Sequence, residues 1–112
     1  MRIHTTLTPE RWYAFSLFEQ LGNIGSDIER TISWKNRGEA TYSQEAFERA
    51  LELLYFTIED PKNRGPRRCE LVRLREVLLD YFHGDNEYKS TDKAWQQYFY
   101  NFAYAAALQR GR

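Results

Sequence analysis

Leu17-Phe18-Glu19-Gln20-Leu21-Gly22-Asn23-Ile24-Gly25-Ser26-Asp27-Ile28-Glu29-Arg30-Thr31-Ile32 is the stretch that decides the fold. Leu17, Leu21, Ile24, Ile28 and Thr31, with Ala14 one step ahead of them, recur at alternating spacings of three and four. That spacing lays one heptad-like stripe along an α-helix. Phe18, Gly25 and Ile32 widen the stripe. Upstream, Thr8-Pro9-Glu10 supplies a hydroxyl N-cap, a proline at the first helical position and an acid in the first turn. The pattern predicts one helix from Pro9 to Lys35, about 40 Å long at ~1.5 Å per residue. Gly22 and Gly25 each cost up to ~1 kcal/mol relative to alanine, so a break near Asn23 is the competing expectation. The apolar phase passes through both glycines without a slip. Close approach of another helix along a flat strip of Gly22, Gly25 and Ser26 is therefore favoured over a break.

The pattern repeats further along the chain. Gly38, after Lys35 and Arg37, ends this helix. A second helix begins at Thr41 to Ser43, either of which can cap, and buries Phe47, Leu51, Leu54 and Ile58 until Asp60-Pro61 stops it. Residues 62–65 are loop, and Pro66 opens a third helix whose face is Leu71, Leu74, Leu78 and Tyr81, closed by Gly84. After a polar connection, Thr91 or Asp92 caps a last helix. Its repeating face is Trp95, Tyr98 or Phe99, Phe102, and Ala105 or Ala106. The tail from Gln109 is expected to fray. β-branched residues never gather in an alternating run, so no strand is expected. Four amphipathic helices on short connections predict an all-α, antiparallel four-helix bundle with a long first helix, a single domain over residues 1–112.

Composition narrows the class of function. At 42% hydrophobic and 29% charged the chain belongs with folded proteins. Aromatic residues reach 16%, with 8 tyrosines and 7 phenylalanines, more ring surface than one small core needs. Basic and acidic residues balance at 16 each, so the whole-chain field favours neither nucleic acid nor membrane. One cysteine, Cys69, excludes an internal disulfide and a cysteine-based zinc site. Met1-Arg2-Ile3-His4-Thr5 is too polar for a signal peptide, and no apolar run approaches membrane-spanning length. The expected location is the cytoplasm.

Local charge is less even. Lys62, Arg64, Arg67, Arg68, Arg73 and Arg75 stand against the single acid Glu70. Arg64, Arg67 and Arg68 crowd a loop and first helical turn, where backbone amides also attract anions, so an RNA or phosphate contact is one reading. A solvated face paired with acids of a neighbouring helix or subunit is the favoured one. Arg75 and His83 resemble the arginine–histidine arrangement of the HEPN family of small helical ribonucleases. They are separated by seven residues where that family has four to six. One residue turns a side chain by about 100° around a helix, and His83 reads better as a cation at its helix's carboxyl end. The loop His83-Gly84-Asp85-Asn86-Glu87 lacks the alternating series of a calcium loop, and His4 is the only other histidine. Glu45, Glu48 and Glu52 have no histidine three residues on, as a di-metal bundle site would require. Neither Gly-x-Ser-x-Gly nor a phosphate-binding glycine loop occurs. No catalytic residue, metal or cofactor is therefore expected.

The aromatic surplus carries the main expectation. Trp95, Tyr98, Phe99, Tyr100, Phe102 and Tyr104 point all around the last helix, and Trp12, Tyr13 and Phe15 do the same at the start of the first. A helix apolar on several sides has several neighbours. With only Lys93 and Arg110 as its basic residues, the last helix suits a protein interface better than base stacking. The expected interface comprises Trp12, Phe15, Gly22, Gly25, Trp95, Tyr98, Tyr100 and Tyr104. The expected partner is a second copy or another protein. The layout is similar to the small bundle proteins encoded in ribosomal RNA intervening sequences and their retroelement-accessory relatives. That resemblance implies ring-like oligomers and, in some members, nucleic-acid binding. The accessory type is strongly basic, whereas this chain is neutral. A non-enzymatic protein acting by self-association or as a small adaptor is expected. The alternative is an RNA-associated bundle, a HEPN-like ribonuclease or toxin–antitoxin component, using Arg64, Arg67, Arg68, Arg75 and His83.

Overall fold

The helix expected from Pro9 to Lys35 is two helices in the computed structural model, α1 (Pro9–Tyr13) and α2 (Leu17–Asn36). The structure describes residues 7–111; the polar start of the chain, His4 included, lies outside the described residues. The break falls at residues 14–16, well before the glycines, and its cause is local. Ser16 Oγ accepts from the Glu19 N–H at 3.2 Å while Glu19 Oε1 accepts from the Ser16 N–H at 3.0 Å. This reciprocal capping box starts a new helix. Burial of Trp12 supplies the second cause. In one continuous helix Trp12 would sit roughly 150° around from the Leu21–Ile24–Ile28 stripe, facing water. The bend turns its indole inward, where it is 3% exposed and donates to Thr57 Oγ1 at 2.9 Å.

Beyond the bend, α2 runs unbroken through both glycines. Its C-terminus turns at Gly38, φ +79°, with the Glu39 N–H reaching back to the Trp34 carbonyl at 3.0 Å. The turn is tight enough that α3 (Ala40–Glu59) starts ahead of both expected caps, behind Glu39, which makes no side-chain cap. Thr41 and Ser43 therefore lie inside the helix, and the Ser43 hydroxyl donates to the Thr31 carbonyl at 2.9 Å, joining α3 to α2.

Asp60 is extended before Pro61, which opens a 3₁₀ turn (Pro61–Asn63), and Gly65 at φ +78° leads to Pro66. There α4 (Pro66–His83) begins, burying Leu71, Leu74 and Leu78. Asp80 builds the connection that follows: its carboxylate accepts from the Glu87 and Tyr88 N–H groups at 2.9 and 3.1 Å. Thr91 caps α5 (Asp92–Arg110) by accepting from the Ala94 N–H at 3.0 Å. α5 runs on through Gln109 to Arg110, where fraying is expected; Arg112 lies outside the described residues. Gln109 Oε1 accepts from Ser16 Oγ at 3.2 Å, and Arg110 lies 3.8 Å from Glu19.

All secondary structure among the described residues is helical. α2 lies between α3 and α5, and α4 packs on α3. Ile24, Ile28, Phe47, Leu54 and Leu78 form the sealed centre. At the α3–α4 corner a buried polar group fixes the elements to one another. Gln20 Nε2 donates to the Trp12 carbonyl and to Asp60 Oδ2, Asn63 Nδ2 donates to Gln20 Oε1 and the Thr57 carbonyl, and Lys62 pairs with Asp60. The four bonds made by the buried Gln20 and Asn63 amides, with Lys62 closing the edge, make this corner costly to open.

Candidate functional site

The glycine strip is covered from within the chain. A Cβ on Gly25 would stand 2.5 Å from Phe99 Cβ, and one on Gly22 would stand 3.3 Å from Ala103 Cα. The close helix approach expected there is thus made by α5 of the same molecule. Two other expected interface residues are also internal: Trp12 in the core, and Trp95, 7% exposed and stacked beside Phe99. Helical periodicity shows that several sides of α1 and α5 are apolar. It cannot show which of those sides the chain covers for itself.

The remaining expected interface residues are at the surface. Phe15 and Tyr98 are partly exposed, and the Tyr98 hydroxyl titrates above its usual range because of burial and the nearby charge of Glu70. Tyr100 and Tyr104, one turn apart, are 61% and 55% exposed, their rings 6.2 Å apart and stacked. Leu108 continues the line at 50%. From residue 94 to residue 109 there is no acidic, basic or histidine side chain. The outward side of α5 is therefore an uncharged ridge of Tyr100, Tyr104 and Leu108. Beside it, along the seam with α2, lies a groove of about 450 Å³ lined by Gly22, Ser26, Glu29, Gln96 and Ala103, among others. Leu108 and the groove were missed in the sequence, because a groove exists only once two helices are placed side by side.

The basic stretch separates into different environments. Arg64, Arg67 and Arg73 are exposed, Arg68 and Arg75 half-buried. Arg68 Nε donates to the Ile58 carbonyl at 2.9 Å, which clamps the start of α4 to the end of α3. Among the described residues none of Arg64, Arg67, Arg73 or Arg75 forms an ion pair. Within the chain, the acids of neighbouring helices expected to neutralise them lie beyond ion-pair distance. His83 lies at the far end of α4, about 24 Å from Arg67 at ~1.5 Å per residue, its ring packed 5.0 Å from Phe47. Arg75 and His83 stand about 12 Å apart along the axis by the same rise.

A cluster not foreseen in the sequence joins three helix ends. Lys35 Nζ donates to Asp92 Oδ1 at 2.7 Å and to the Tyr81 hydroxyl at 3.3 Å. Tyr81 also donates to Asp92, and Asn36 Nδ2 donates to Asp92 Oδ2 at 3.2 Å. Burial opposes charge on Asp92 and Lys35, but their mutual hydrogen bond and the Tyr81 hydroxyl outweigh it. The carboxyl is held below its usual range and the ammonium above its own. The Tyr81 hydroxyl is raised by burial and by its bond to Asp92. The groups bond one another and tie α2, α4 and α5 together.

Among the described residues no three histidine, cysteine or acidic side chains gather as a metal site would require. No helix among them is long and apolar enough to cross a membrane. No protein-family profile, curated protein or solved structure matches the chain.

Proposed function

We propose that this is a non-enzymatic helical protein that acts by association, first of all with copies of itself. In this reading its four long helices form an antiparallel bundle whose α5 presents the contact surface. The observation that carries it is the ridge of Tyr100, Tyr104 and Leu108 on a helix with no charge from residue 94 to residue 109. Protein interfaces are depleted of charge at their centre and enriched in tyrosine. A solvated helix face of this length ordinarily carries Lys, Glu or Arg. Sedimentation equilibrium of the wild type should give a mass above the 13.4 kDa of one chain. The Tyr100→Glu/Tyr104→Glu variant should sediment as a single chain with its helical circular dichroism intact. A wild type that stays a single chain at every concentration would overturn the proposal.

A second reading has its own observation: Arg64 and Arg67 are exposed at the start of α4, and no ion pair holds them among the described residues. It assigns the stretch from Lys62 to Arg75 to an RNA backbone, with contacts that weaken as salt rises. Fluorescence polarisation with a short RNA at low salt should then show binding that Arg64→Glu with Arg67→Glu, both at exposed positions, removes. Absence of binding by the wild type excludes it. Cleavage by purified protein, lost in His83→Ala, would be needed to add a nuclease activity.

A further inference from the structure

We infer that two copies of this chain pair about a twofold axis, the Tyr100–Tyr104 ridge of each seated in the α2–α5 groove of the other. The inference rests on the self-association reading and names the surface and its occupant.

A twofold contact uses the same patch on both partners, so that patch must contain both a projection and the hollow that receives it. The outward side of α5 has this arrangement. Its ridge stands next to a groove that is open because the residues along it are small: Gly22 and Ser26 on α2, Ala103 on α5. Trp95 also lines the groove, its indole N–H sealed from solvent.

Charge selects the occupant. A patch that pairs with its own copy brings like charges near one another, so a charged patch repels itself and an uncharged one does not. The ridge is uncharged, and the charges nearest the groove, Glu29 and Lys93, are of opposite sign. Three other exposed apolar groups do not meet this condition. Val72 and Leu79 on α4 lie among Arg68, Arg75 and Glu76, and Tyr42 on α3 is taken up by Trp34 at 4.9 Å.

At ~200 Å² for a large side chain, the exposed parts of Tyr100, Tyr104 and Leu108 offer about 300 Å² of the roughly 800 Å² that a standard interface takes from each partner. Gln97, Asn101 and Ala107 are exposed on the same side of α5 and extend the patch beside the groove.

Complementation between single variants tests this directly in the full-length chain. Tyr104→Lys alters the ridge, since Tyr104 does not line the groove, and Ser26→Glu alters the groove. Both positions are exposed, so folding is retained and is checked by circular dichroism. Each variant alone should dissociate, its dimer constant raised about 100-fold, because both of its contacts are damaged. An equimolar mixture should dimerise again: the heterodimer keeps one intact ridge–groove contact and sets lysine against glutamate in the other. Tyr55→Glu, on the remote side of α3, should leave the mass unchanged. If the wild type associates while either single variant still pairs as tightly, or the mixture stays dissociated, the pairing is wrong and self-association stands. A wild type that never associates removes both.

Discussion

Phe99 occupies the space a side chain at Gly25 would need, and this one contact explains why a helix former is absent from the middle of α2. Alanine at Gly25 would place its Cβ 2.5 Å from Phe99 Cβ, well inside contact distance. Overpacking of this kind costs roughly 1–3 kcal/mol, more than the ~1 kcal/mol the helix gains from losing a glycine. At Gly22 the nearest atom is 3.3 Å away, and the two effects nearly cancel. Thermal unfolding should therefore rank Gly25→Ala clearly below the wild type and Gly22→Ala close to it; the reverse order would mean that α5 does not lie on this strip. Trp12 is decided by a similarly local fact. Its indole N–H has Thr57 Oγ1 as a buried partner, so Trp12→Phe should lose about 1 kcal/mol by stranding that acceptor.

At the scale of the element, the bend at residues 14–16 and the joined ends of α2, α4 and α5 set the geometry. Ser16→Ala removes one half of the capping box and should lower stability by about 1 kcal/mol, read from the urea midpoint. Asp60 and Asp92 both titrate below the ordinary carboxylate range in the folded chain. Burial opposes this, but bonds from Lys62 and Gln20 to the first, and from Lys35 and Tyr81 to the second, outweigh it. A carboxyl with a depressed folded pKa adds stability that is full above its unfolded value and lost as pH falls through its folded one. The urea midpoint should therefore drop as pH falls below about 4, and Asp92→Asn, weaker at neutral pH, should show a shallower drop. Lys35 works in the opposite sense: its raised pKa gives stability present below the usual lysine range and lost as pH rises through the folded value. Much of this scale was legible in the sequence. The stops at Gly38, Pro61 and Gly84, the starts at Pro66 and Thr91, and the buried stripes follow from spacing and turn chemistry alone. The bend was written there too, as Ser16-x-x-Glu19, but went unread because Ala14 continues the apolar phase of Leu17 and Leu21. The Lys35–Tyr81–Asp92 cluster was not legible, because its members are joined only by the way three helices meet.

At the scale of the whole molecule, apolar side chains divide between those the chain covers and those it leaves bare. Sequence counts the rings on α5 but not their fate: Trp95 and Phe99 are spent inside, while Tyr100 and Tyr104 remain outside. The proposed association is built on that remainder, and it contains no charge. Raising salt from ~0.1 M to ~1 M shortens the screening length from about 10 Å to about 3 Å, which weakens contacts made by exposed charges and leaves apolar ones intact. The most direct measurement is the solution mass of the wild-type chain by sedimentation equilibrium at both salt concentrations. A mass of twice the 13.4 kDa chain at each is the predicted result. A single-chain mass at both, or a dimer that high salt dissolves, would contradict it.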